Sequence, residues 1–386
     1  MTAVQAVVAM GAFALSVLAP QLGVDLARLG LLGSALFAVG AVASLATGRL
    51  IQRFGDLQLT ALCMGCVALA MACLGIDAAR SGGVYWSLWP ATLLLGLAFG
   101  PETPASASVL ARVTPPARRP WVFSIRQTGN QIGAMAGSLC LPALLLRHPA
   151  LPFALVAALA VLIAIACLRL VRSEGPGKPE AALPSAPAGH ASGLRELAAS
   201  PALRLLTATM VVFMATQVCL NLFVVSHAVQ QWRMAVPVAA GWAAWMQLSG
   251  LIGRLLWGRI AQRPGVPTRR LLGALGLLTS GSGLTVFLWP SVPPFAALAV
   301  LVALLGLSAS GWNGVMVAEI TRLAGPARAG AVTGATLLFG YAGLALAPVG
   351  FAAAGGAVGT SLAFAALLAA SAAVGARLLV PSGQAA

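Results

Sequence analysis

The chain has 386 residues, of which 60% are hydrophobic and only 8% charged, with a mean hydropathy of +0.94. A soluble protein of this size clothes its surface with about 25% charged residues, so the composition excludes a soluble fold and indicates an all-α polytopic membrane protein. A net charge of +15 would point to nucleic acid in a soluble chain. Here the basic residues sit between apolar runs, and no nucleic-acid partner is expected.

Apolar runs bounded by Arg, Pro and Gly clusters predict twelve transmembrane helices. The first six cover roughly 3–22, 29–49, 57–77, 85–110, 120–146 and 151–171. No charged segment or cleavage site marks the first as a removable signal, so Val4–Leu22 reads as a retained span. The second six cover roughly 202–226, 237–260, 270–290, 294–320, 330–354 and 360–380. The expected domains are therefore an N-terminal six-helix bundle (1–171), a cytoplasmic linker (172–200), a C-terminal six-helix bundle (201–380) and a short tail (381–386). The linker is rich in Pro, Ala, Gly and Ser, contains Lys178, and ends in "GLRELAAS", which reads as a short surface helix.

All six cysteines fall in apolar runs, and the "CMGC" at 63–66 lacks the soluble context of a redox motif. The three histidines are scattered, so neither a metal site nor a cofactor is expected. Basic residues define the orientation. With both termini cytoplasmic, seventeen lie in inner loops and span ends against four outside (Arg28, Arg80, Arg147 and Arg233).

A repeat runs through the chain at an offset of 210 residues. "GRLIQRFG" at 48 returns as "GRIAQRPG" at 258, "LLGL" at 94 returns at 304, Arg112 at Arg322, and "PAR" at 116 returns at 326. A constant register of this kind indicates duplication into two parallel, pseudo-symmetric bundles. The twelve spans, central linker and duplicated loop together resemble the major facilitator superfamily of secondary transporters, over nearly the whole chain. The resemblance implies alternating access and assigns a gating role to Gly48, Arg49, Arg53, Gly55 and Asp56, with Gly258, Arg259 and Arg263 as their echo. The family's loop usually carries an acid before the inner arginine, where this chain has Gln52 and Gln262. That leaves Asp56 as the candidate substitute.

Ionisable residues inside a span are expensive and are functional candidates by default. Glu102, Arg126 and Arg254 qualify, at about 15, 9 and 12 Å from the inner face by helical rise. Glu102, between Pro101 and Pro104, is either a proton-titrating carboxylate or a structural partner for Arg126. Arg126 heads a polar stretch with Gln127 and Asn130, and is either a binding residue or a snorkelling one. The glycines at 129, 133 and 137 have the spacing of close helix packing.

Arg254 lies in "GLIGRLLWGRIAQR", which resembles the monocarboxylate and oxalate–formate transporter branches, where an arginine here faces the substrate carboxylate. A planar guanidinium suits that bidentate contact. Gln217 and Asn221 on span 7, and Trp312 and Asn313 on span 10, are further substrate-binding candidates, with Trp245 and Tyr341 behind them. Glu319 is expected to pair with Arg322 or a loop arginine as part of a gate.

Two embedded arginines against one glutamate leave a cation for an anionic ligand. The expectation is a monomeric, proton-coupled transporter of a small, monocarboxylate-like organic anion in a bacterial inner membrane, with symport the leading mode. A proton-coupled drug or metabolite exporter is the alternative, although span 5 reads "GNQIGAMAGSL" without the Gly-Pro typical of exporters. A sugar-like neutral substrate and a non-transporting membrane sensor stand further behind. No nucleophile–base pair or phosphate loop supports an enzyme.

Overall fold

In the computed structural model the described residues are 1–115, 118–174, 190–289, 291–325 and 328–380. Lys178, most of the expected linker, and the 381–386 tail lie outside them. The described residues form helices α1 (Thr2–Leu22), α2 (Leu26–Phe54), α3 (Asp56–Ser81), α4 (Leu88–Val113), α5 (Arg119–Leu145) and α6 (Leu151–Glu174). There follow α7 (His190–Ala199), α8 (Pro201–Trp232), α9 (Val236–Ala261), α10 (Thr268–Phe287), α11 (Phe295–Ala309), α12 (Asn313–Ala324), α13 (Ala329–Val358) and α14 (Thr360–Leu379).

Among the described residues, ten stretches are long and apolar enough to cross a membrane, with α11 and α12 counted together. Their outward faces stay apolar: Val42, Leu45, Leu162 and Leu346 are each more than 60% exposed. Such faces are stable against hydrocarbon rather than water. Helices α5 and α9 are not among the ten. They carry Arg126 and Arg254.

The sequence repeat is reproduced in the helices. α2 and α9 begin 210 residues apart, and so do α5 and α13. α4 approaches α2 through Gly96, where a Cβ would collide with the Leu36 carbonyl. α11 approaches α9 through Gly306, where a Cβ would collide with the Met246 carbonyl. Both members of that second contact are displaced by the same 210 residues. The crossing is therefore one packing solution used twice, built on a small residue that lets two backbones touch. The 129/133/137 stripe behaves alike, with Gly133 against the Ala6 carbonyl of α1.

The chain divides into two compact units, residues 1–185 with 222–244, and residues 186–221 with 245–386. In the first, α1 pairs with α5, α2 with α4, and α3 with both α4 and α6. Met64, Val67, Met71 and Leu74 of α3 are buried in its interior. The 222–244 hairpin has its own small apolar cluster of Val225, Ala228, Ala239 and Ala243. In the second unit α10 pairs with α14 and α11, repeating the partners of α3. Its core gathers Leu206, Phe213, Leu275, Trp312, Met316 and Ile320. Helix α7 docks on α13, with Gly193 against the Ala331 carbonyl and Glu196 bound to Arg328 at 2.6 Å.

Two expectations are corrected. Span 10 is not one helix: it breaks at residues 310–312 into α11 and α12. Its counterpart α4 stays helical through Pro101 and Pro104. The first "GRLIQRFG" is also not a loop. α2 runs to Phe54, and the turn consists of Gly55 alone, at φ 85° and ψ 161°. Its equivalent Gly265 has φ 82°. Only glycine adopts this region without strain, which explains why both copies end on it.

Candidate functional site

Polar chemistry in the first unit centres on Glu102 of α4 and Arg126 of α5. Arg126 Nη2 donates to both Glu102 oxygens at 3.1 Å. Its Nε donates to Ser106 Oγ at 2.6 Å, and that hydroxyl donates on to Glu102 Oε1 at 2.9 Å. Thr103 adds a further hydroxyl at 3.2 Å. The residues form a closed ring of hydrogen bonds, with Arg126 and Glu102 exposed by only 1% and 2%. The i,i+4 spacing places Ser106 beneath Glu102 on one face of α4. Sequence reading missed Ser106, although that spacing could have shown it. A buried pair this complete is strongly destabilised when either partner is removed. Of the neighbouring α5 amides, Gln127 is exposed and Asn130 half-buried.

In the second unit the centre is the break between α11 and α12. Ending a helix inside a span leaves carbonyls without amide partners. Three of them are taken by side chains. Leu307 O accepts from the Trp257 indole at 2.9 Å, and Ala309 O from the Trp312 indole at 3.0 Å. Ser310 O accepts from Arg254 Nε at 3.1 Å and from the Asn313 amide at 3.3 Å. Glycines bring the helices close enough for this: a Cβ at Gly253 would strike the Leu307 carbonyl, and one at Gly311 the Trp257 ring. Arg254 and Asn313, chosen separately from the sequence, thus meet on one carbonyl. No feature of the sequence marked Trp257 for its role.

Trp312, a substrate-binding candidate from the sequence, is 1% exposed and packs edge-on against Phe213 at 5.6 Å in the core of its unit. Its position corresponds to Glu102 under the repeat, so a buried indole in one unit stands where the other has a buried carboxylate. Asn221 Oδ1 accepts from Gln247 at 2.8 Å, joining α8 to α9. Gln217 and Tyr341 are half-buried. Trp245 donates its indole proton to the Ala299 carbonyl at 2.9 Å, with 40% of its surface exposed.

The loop-motif residues divide between turn and latch. Gly48, Arg49, Arg259 and Arg263 are exposed, Gly258 is half-buried, and Arg53 lies over the Phe54 ring at 5.3 Å. Asp56 starts α3 and binds Arg112 at the end of α4, with Nη2–Oδ1 and Nε–Oδ2 both 3.3 Å. Arg322 is the repeat equivalent of Arg112, but its acid comes from its own helix. Glu319 Oε1 lies 2.7 Å from Arg322 Nη2, and Oε2 accepts from Arg322 Nε and from Thr268 at the start of α10. Both units thereby tie their third helix to the end of the fourth span, through acids at non-equivalent positions.

A sequence profile of the Major Facilitator Superfamily matches residues 1–348. Among solved structures, the chain is similar to a bacterial homologue of the human lysosomal transporter Spinster, inward-facing and unoccupied. That match has 18% identity and a TM-score of 0.70, covering 98% of this chain and 93% of that one. A peptide transporter, POT, in complex with sulfate matches at 17% identity and TM-score 0.75, with 98% and 92% covered. A nucleoside transporter, NupG, matches at 14% identity and TM-score 0.73, with 98% of both chains covered. No curated protein matches the chain at a significant level. Matched over residues 1–348 and sharing the fold of these transporters, the chain belongs to the major facilitator superfamily and is a multi-pass membrane transporter rather than an enzyme.

Proposed function

We propose that the protein is a proton-coupled secondary transporter of a small, monocarboxylate-like organic anion. In this reading it spans the bacterial inner membrane twelve times as a monomer, with both termini cytoplasmic, and works by alternating access as a symporter. The observation that carries the substrate class is the placement of Arg254. Its Nε donates to the Ser310 carbonyl at a helix break it shares with Asn313. A carboxylate is the stronger acceptor for a guanidinium, so an incoming acid can displace the carbonyl. Glu102 and Arg126 neutralise each other, and Glu102 is the group that takes up the coupled proton when that pair opens.

The test is uptake of radiolabelled formate, lactate and oxalate into proteoliposomes under an inward proton gradient. Gradient-dependent uptake by the wild type and its loss in Arg254→Gln are expected. Equal uptake by the variant would sink the assignment. The Asn221–Gln247 amide pair favours a second reading, transport of a neutral polar solute. Uptake that persists in Arg254→Gln but falls in Asn221→Ala would favour it.

A further inference from the structure

A pocket of about 580 Å³ opens at the arginine-rich end of the second unit. Its walls are the turn at Gly265, Val266 and Pro267, the first residues of α10 (Thr268, Arg269 and Arg270), and Glu319 and Arg322 of α12. Three arginines stand there against one glutamate. Glu319 is already committed: it is 1% exposed, and both its oxygens accept from Arg322 or Thr268. Arg269 is fixed in place, its Nη2 donating to the Val380 and Arg377 carbonyls at the end of α14 at 2.9 and 3.3 Å. Arg270 is exposed at the rim, and the Arg322 side chain is 64% exposed.

We propose that this pocket binds the phosphodiester headgroup of an anionic phospholipid. Guanidiniums that outnumber carboxylates around a concave, water-accessible volume attract phosphate oxygens and can donate N–H bonds to them. The depression is open to solvent, and its volume leaves room for a glycerol group beside the phosphate. Val266 and Pro267 supply an apolar wall for that group. On the topology proposed above, the pocket lies at the cytoplasmic leaflet, where anionic headgroups and basic pockets meet.

The repeat separates this site from ordinary topogenic charge. Arg259 and Arg263 echo Arg49 and Arg53 and already supply the basic turn. Arg269 and Arg270 are additional: Leu59 and Thr60 occupy the equivalent places in the first unit. There the acid is Asp56, held by Arg112 in the turn region itself.

The experiment uses the full chain in detergent, titrated with phosphatidylglycerol and, in a parallel arm, with inorganic phosphate, and read by native mass spectrometry. The Arg269→Gln/Arg270→Gln double variant should bind phosphatidylglycerol roughly 25-fold more weakly, at about fivefold per arginine. An Arg28→Gln/Arg147→Gln control removes the same charge elsewhere and should bind as the wild type does. Should the double variant unfold, the single exposed change Arg270→Gln is expected to retain its melting temperature and show the fivefold loss. Equal lipid binding by the Arg270 variant and the wild type would overturn the proposal. So would phosphate binding at these arginines without preference for the lipid.

Discussion

Arg126 Nη2 sits 3.1 Å from both carboxylate oxygens of Glu102, and both side chains are almost fully buried. The charges come from adjacent helices, α4 and α5, and Ser106 closes the ring between them. Removing one partner leaves a buried, uncompensated charge, at a cost of about 3–5 kcal/mol. Glu102→Gln and Arg126→Gln should each lower the thermal unfolding temperature markedly in detergent. The double variant should recover much of the loss. Additive losses would show that the pair is not a coupled unit.

The duplicated crossing predicts matched sensitivity to a single methyl group. Gly96→Ala and Gly306→Ala each drive a Cβ into a facing carbonyl, an overpacking of about 1–3 kcal/mol. Gly241 and Gly281, also on helices, have open space where a Cβ would go. Alanine there should be neutral or slightly stabilising. Folded yield by fluorescence-detected size exclusion separates the two classes, and four equal yields would refute the close approach.

The helix break depends on its side-chain caps. Trp257→Phe keeps the ring but removes the proton donated to Leu307 O, leaving a carbonyl unsatisfied at a cost of about 1–3 kcal/mol. Amide hydrogen exchange in residues 308–314 should accelerate, with exchange in α14 unchanged. Identical exchange in this segment would mean that the carbonyl is satisfied without the indole.

The two latches should differ in strength although their arginines are equivalent. Asp56 and Arg112 are 14% and 34% exposed, so Arg112→Gln should cost about 0–1 kcal/mol. Glu319 is 1% exposed, and without Arg322 it keeps the Thr268 hydroxyl at the start of α10 and the charge of Arg269. Arg322→Gln should therefore lower the melting temperature more than Arg112→Gln. The reverse order would show that the acid's own helix holds it without the arginine.

The amino-acid sequence by itself determined the solvent, the helices and the duplication. Membrane residence follows from apolar runs that no aqueous surface could accommodate, and the repeat follows from identities held at one offset. It also marked Glu102, Arg126, Arg254, Asn313 and Glu319, because a charge or amide inside an apolar run is conspicuous. Tertiary structure decided what those residues touch. The closure of Arg126 on Glu102 through Ser106, and the meeting of Arg254 and Asn313 on the Ser310 carbonyl, depend on which helix faces which. Likewise, whether span 10 breaks could not be read locally. Two prolines leave α4 helical, whereas Ser310–Trp312 interrupts its repeat equivalent. The reason is physical: a break inside a span persists only where neighbours take up its carbonyls, and here Trp257 and Arg254 lie 50 and 56 residues away along the chain from the carbonyls they bind.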